Sequence, residues 1–361
     1  MRDLNLLPKA HLHVHFTGSL SVENLMRLAR EQDVELPSAL VDDDPLAVPA
    51  NKRGWFRFQR LYDIARAAVR GETALRTVVR GAAAADAAEG SRRLEIQVDP
   101  TSYASSVGGL QPALEIILDE ATAASQTTGV QVGVIVAASR IRHPYDARTL
   151  ARLAARHVGQ GPGQVCGFGL SNDEWEGDTE LWDAAFRIAR RAGLPGVPHG
   201  GELRGPEHVR QVVRHLVPRR LGHGVRASED PQLLAELVAA DVAFEVCPAS
   251  NVHLGVYATL ADVPLRRLVT AGARVALGAD DPLLFRSRLT AQYQTARTVH
   301  GFTDDELADL ARASVHASFA GAADRRRWLA EIDAWLHPTD QAASRQPGAG
   351  AVPTPPESRT L

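Results

Sequence analysis

Short apolar runs rich in β-branched residues recur along the chain, separated by longer stretches with helical spacing. The runs fall at residues 11–16, 93–98, 131–137, 165–170, 196–199, 219–223, 242–247 and 274–277. Between them, stretches such as 73–88 and 112–123 place Ala, Leu and Arg at helical intervals. Strands alternating with helices imply a parallel sheet, and eight such units predict an α/β fold, a single-domain (β/α)8 TIM-type barrel with extra helices. Residues 36–54 carry Pro37, Asp42-Asp43-Asp44, Pro45 and Pro49, which predicts a long loop. Residues 337–361, rich in Pro, Gly, Ser and Ala, are expected to form a disordered tail, leaving 1–336 as the barrel. Residues 293–336 read as helices that either cover the barrel bottom or pair with another chain. The aromatic segment 55–58, with the loop before it, reads either as a lid that excludes water or as the packed start of a surface helix.

Composition narrows the class. The 361 residues are 45% hydrophobic and 23% charged, a globular balance that excludes wholesale disorder. A net charge of -3 supplies no cationic excess for a phosphate backbone, so no nucleic-acid partner is expected. No apolar stretch is long enough to span a membrane, and the N-terminus lacks a secretory layout. The two cysteines, Cys166 and Cys247, sit in apolar runs. A disulfide framework is therefore not expected, and a reducing cytoplasm is the expected location. Oligomeric state leaves no trace in the pattern.

Polar residues gather where the runs end. In a barrel of this kind the C-terminal strand ends carry the chemistry. The first run contains His11-Leu12-His13-Val14-His15, and strand alternation sends His13 and His15 to the same face. His11 shares that parity but lies a step deeper, where it is expected to pack or to support its neighbours from behind. His199 closes the fifth run, and Asp280-Asp281-Pro282 follows the eighth. Taken singly, each has an ordinary reading: exposed histidines, a hydrogen-bonded strand end, a turn or helix cap. Together, three strand ends supply three imidazoles and a carboxylate, a donor set suited to one zinc ion with a position left for water.

Other site chemistries lack their residues. There is no His-Glu-x-x-His, Pro-Cys-x-x-Cys, Gly-Lys-Ser/Thr or Gly-x-Ser-x-Gly sequence. The two lysines, Lys9 and Lys52, are not placed to bridge a pair of metal ions, so the expected count is one ion.

Five ordered motifs then resemble those of the adenosine, adenine and AMP deaminases. They are residues 8–19 (PKAHLHVHFTGS), His199-Gly200-Gly201-Glu202, Leu221-Gly222-His223-Gly224, Glu245-Val246-Cys247-Pro248-Ala249-Ser250-Asn251 and Asp280-Asp281-Pro282. The likeness runs over residues 8–319. It implies a one-zinc (β/α)8 barrel that deaminates a purine hydrolytically. Carried over by motif position, His13, His15, His199 and Asp280 hold the zinc. Glu202 protonates the ring nitrogen beside the amino-bearing carbon. His223 orients and deprotonates the attacking water. Asp281 meets that nucleophile and the imidazole edge of the purine, and His15, Thr17, Asn172 and Asp281 touch substrate.

Two positions depart from the family pattern. Thr17 stands where adenosine deaminases carry an aspartate against the ribose 5′-hydroxyl. The fourth strand reads Gly169-Leu170-Ser171-Asn172-Asp173-Glu174 in place of Asp-Leu-Ala-Gly-Asp-Glu, so Asn172 replaces the glycine whose N–H meets the purine. Asparagine tolerates the backbone angles glycine permits. Glu95 and Gln97 stand where the family has glutamate and arginine. The expected substrate is a 6-aminopurine nucleoside, adenosine or a modified adenosine. A 5′-modified nucleoside such as aminodeoxyfutalosine or a thioadenosine, and free adenine, remain open. So do a zinc hydrolase acting on a cyclic amide or ester and an inactive purine-binding protein.

Overall fold

The computed structural model describes residues 1–41, 51 and 53–337. The predicted tail, beyond His337, and residues 42–50 and 52 of the predicted loop lie outside the described residues. Eight strands form the sheet: β1 (Lys9–His15), β2 (Ser91–Val98), β3 (Gln131–Ser139), β4 (Val165–Ser171), β5 (Gly196–Gly200), β6 (Arg220–His223), β7 (Ala243–Val246) and β8 (Val275–Leu277). They pair in sequence order, every pair parallel. Helices intervene between them, giving the expected (β/α)8 barrel. The last strand returns to the first at the C-terminal rim. There the His15 N–H donates to the Asp280 carbonyl at 2.9 Å and the Asp280 N–H to the His13 carbonyl at 3.0 Å. Barrel closure thus brings the first and last motifs of the sequence side by side.

Among the described residues, the β1–β2 connection holds four α-helices, Val22–Glu31, Ser38–Val41, Trp55–Ala67 and Gly71–Ala88. The short Ser38–Val41 helix corrects the expectation of uninterrupted loop over 36–54. Leu40 is fully buried, its N–H donates to the Pro37 carbonyl at 2.9 Å, and the Arg286 guanidinium caps its carbonyl at 2.8 Å. One anchored apolar side chain is enough to wind that turn. Among the described residues, no helix is long and apolar enough to cross a membrane.

The interior near the barrel floor carries an ionic network beside a small apolar cluster of Ile135, Cys166 and Val197. Arg93, Glu95, Arg220 and Glu245 are all buried. Arg220 donates to Glu95 at 2.7 Å and to Glu245 at 2.5 Å, and Arg93 donates to Glu95 at 3.0 Å. Two guanidinium and two carboxylate groups cancel, which is the condition for keeping charges out of water; removing one partner of such a set costs about 3–5 kcal/mol. The helices Asp304–Ala317 and Ala322–Leu336 close this N-terminal end. The link between them is tied into the network, since the Phe319 N–H donates to Glu95 at 2.8 Å and Arg220 donates to the Ala317 carbonyl at 2.9 Å.

Candidate active site

At the opposite, C-terminal end, alternation along β1 turns His13 and His15 inward, and β5 brings His199 between them. The ring centroids lie 4.9–5.3 Å apart. Candidate donor atoms of the three imidazoles fall within 4.8 Å of one another. Asp280 Oδ1 adds a fourth donor, 3.2 Å from His15 Nε2 and 3.5 Å from His13 Nε2. His13 Nε2 and His199 Nε2 are buried with no hydrogen-bond partner in the protein. Buried polar nitrogens without partners are costly, and a shared cation satisfies several at once. Behind them, Glu245 accepts from His13 Nδ1 at 2.7 Å. That bond fixes the tautomer whose Nε2 faces the cluster. The floor network therefore reaches the site through Arg220, Glu245 and His13.

Electrostatics sort the donors. Burial works against the Asp280 carboxylate, but the imidazoles of His13 and His15 beside it outweigh that and hold the group well below the usual range. Burial and the neighbouring imidazoles push His199 well below its ordinary value, so it stays neutral. The Cys247 thiol also lies within the cluster, beside His13, His223 and Asp280, a proximity the sequence did not convey. Burial pushes that thiol well above its normal value. The three imidazoles and the Asp280 carboxylate remain the donor set expected from the sequence, and donors of that kind fit a borderline ion such as zinc.

Glu202, His223 and Asp281 face this centre. Burial and the charges of Asp280 and Glu174 push the Glu202 carboxyl well above the usual range, which favours its protonated form. Burial takes His223 down to about 3, leaving a neutral ring. Its Nε2 lies 3.5 Å from Glu202, and its Nδ1 is buried without a protein partner. Burial and Asp280 push Asp281 up as well, and its Oδ1 is buried and unpartnered. Three non-glycine residues at these strand ends take left-handed backbone angles: Asn172 (φ 78°), His223 (φ 63°) and Asp280 (φ 60°). Such strain concentrates where a side chain must be aimed against its preference.

The cleft holds about 690 Å³ with its open mouth, the scale of a small molecule. His15, His199, Asp280, Glu202, His223 and Asp281 line it, together with Asn172, Ser139 and Gln97. Gln97 Oε1 and Ser139 Oγ are buried and unpartnered there; sequence reasoning gave Ser139 no role and noted Gln97 only as a departure. Trp55, Phe58 and Tyr62 of the Trp55–Ala67 helix form the outer wall. A helix starts at Trp55, as one reading of segment 55–58 has it, and Trp55 and Phe58 line the cleft, as the other requires, while Phe56 remains exposed. Thr17 differs from its expected place. It is fully buried, its hydroxyl lies 2.7 Å from the Tyr103 hydroxyl, and Tyr103 rather than Thr17 forms the cleft surface. His11 does support the site from behind. It pairs with Asp86 at 3.0 Å, and its Nε2 accepts the Ala279 N–H at 3.2 Å, one residue before Asp280.

Comparison with known proteins converges on one chemistry. The family model described as adenosine deaminase matches residues 8–335. A Streptomyces virginiae protein, provisionally named an adenosine/adenine deaminase, is 56% identical over 93% of this chain and 98% of its own. The Sinorhizobium fredii adenine deaminase is 34% identical over 90% and 98%. The crystal structure of an adenine deaminase from Arthrobacter aurescens superposes with a TM-score of 0.83 at 28% identity, covering 91% of this chain and 99% of that one.

Proposed function

Because the chain belongs to the adenosine deaminase family, we propose that it hydrolyses the exocyclic amine of a 6-aminopurine nucleoside, releasing ammonia and the 6-oxo product. The observation that carries this reading is the convergence of His13, His15 and His199 with Asp280 beside them, facing the buried side chains of Glu202 and His223. Those four ligands would hold one zinc ion, which supplies Lewis acidity enough to bring the pKa of water to about 7. His223, uncharged at neutral pH, accepts a proton from the attacking water. Glu202 delivers its proton to the ring nitrogen beside the carbon under attack, where negative charge accumulates. Asp281, held protonated, donates to a nitrogen on the imidazole edge of the purine, and Asn172 presents backbone to the other edge. Burial of all three acid–base groups excludes bulk water from the proton transfers.

A 5′-modified adenosine is favoured over adenosine by two observations. No carboxylate waits for a 5′-hydroxyl at Thr17, whose own hydroxyl is taken by Tyr103. The wall there carries the rings of Trp55, Phe58, Tyr62 and Tyr103 together with the polar side chains of Gln59, Arg66, Asp99 and Ser102. The rings offer contact area to an added 5′ group, and the polar side chains offer it hydrogen-bond partners. Ammonia release by zinc-loaded protein from adenosine, 5′-substituted 5′-deoxyadenosines and adenine decides the matter. The expected kcat/KM is at least about tenfold higher for a 5′-substituted nucleoside, the change in transition-state binding of about 1.4 kcal/mol. Adenosine or adenine ahead by that margin contradicts the 5′ reading and leaves the deaminase reading standing.

A further inference from the structure

The loop that carries Glu202 is held by a residue of a different strand end. Glu174 follows Asn172 by two positions, beyond the end of β4, and is fully buried. Its carboxylate accepts three consecutive backbone N–H groups of the loop after β5: Glu202 at 3.0 Å, Leu203 at 2.9 Å and Arg204 at 2.7 Å. His208 Nδ1 stands 3.6 Å from the same carboxylate. From the other side, Arg226 donates to the Leu203 carbonyl at 2.6 Å. The turn has no slack. Gly201 sits at φ 79°, and a Cβ there would meet Val209 at 2.6 Å. Glu174 does not line the cleft, so it touches no reacting atom. Its grip on the Glu202 N–H nevertheless fixes the backbone from which the acid projects.

Resting on the reading of Glu202 as the ring-protonating acid, we propose that Glu174 is a positioning residue, its carboxylate clamping the 202–204 backbone so that Glu202 is aimed at the purine. The clamp also joins the two loops that face the base, because the chain segment from Asn172 to Glu174 is short and its turn is pinned by the Asp173 N–H on Asn172 Oδ1 at 2.9 Å. Binding of the ring edge at Asn172 and placement of the proton at Glu202 are thereby set by one rigid unit.

Glu174→Gln keeps the shape and removes the charge and at least one acceptor. Its kcat/KM is expected to fall about 100-fold, the scale of a 1 Å misplacement, with zinc content and thermal midpoint close to wild type. The discriminating measurement is the double variant. Glu174→Gln combined with Glu202→Gln should have a kcat no lower than that of Glu202→Gln alone, because in the proton transfer a clamp has nothing left to aim, while any loss through Asn172 falls on KM. Losses in kcat that multiply, or a single variant within threefold of wild type, overturn the proposal. Hydrogen exchange on the unaltered chain gives an independent reading that needs no variant to fold. The amides of Glu202, Leu203 and Arg204 should be protected like the strands, and exchange at open-loop rates overturns the clamp. The Glu202→Gln arm on its own reports on the acid: full activity there removes the reading on which the clamp rests.

Discussion

Glu202→Gln is expected to lower kcat by about 10²–10⁴-fold, the usual worth of a placed general acid, while leaving the fold and the zinc content unchanged. Glutamine fills the same space and can hydrogen-bond the ring nitrogen, so binding of substrate should change little. What it lacks is a proton to give. Glu202 is suited to giving one because burial, Asp280 and Glu174 all disfavour its ionised form. His223, 3.5 Å away and neutral, does not offset that. Steady-state kinetics on the preferred nucleoside, with zinc measured on the same preparation, checks the result. A variant retaining near-wild-type kcat would remove Glu202 from the proton transfer.

Gly222→Ala is expected to cost at least about 100-fold in zinc affinity, with activity falling in parallel. The Leu221-Gly222-His223-Gly224 motif places this glycine directly under two of the metal-facing rings. A Cβ added there would stand 2.4 Å from His199 Cδ2 and 3.1 Å from His13 Cε1. The first distance is inside any real contact, so His199 has to turn away. His13 cannot retreat to make room, since Glu245 holds its Nδ1 at 2.7 Å and Arg220 holds Glu245. Disturbing the groups that orient ligands commonly costs 10–100-fold in affinity, and here a ligand itself is displaced. Competition against a chromophoric chelator measures the loss. Wild-type affinity in this variant would mean that His199 does not bind the ion.

The strands were legible because a barrel buries both faces of each one. Continuous apolar runs with abrupt ends are what that burial demands, and predicted and observed bounds differ by no more than two residues. The histidines and the aspartate proposed as ligands stand out in the sequence for the complementary reason that polar residues at such ends have little else to do. What could not be read were contacts made across the barrel. Arg93, Glu95, Arg220 and Glu245 look like surface charges in a linear sequence; only closure of the sheet stacks them and delivers their net orientation to His13. Glu174 belongs to a quoted motif, yet its partners lie about thirty residues on, and backbone N–H groups leave no mark on composition. Thr17 shows the reverse. The departure from the family pattern singles out the position, but its hydroxyl meets that of Tyr103, from the segment after β2, and nothing in the sequence marks that pairing. Cys247 reads as a thiol in an apolar run, and only the fold sets it beside His13, His223 and Asp280.

Zinc K-edge X-ray absorption on the purified active chain, with elemental analysis of the same sample, puts the metal centre to the sharpest test. The expected result is one zinc per chain, a shell of nitrogen and oxygen at about 2.0–2.2 Å, the multiple-scattering signature of three imidazoles, and no sulfur. Active protein without zinc, a second ion, or a sulfur at about 2.3 Å from Cys247 would contradict it.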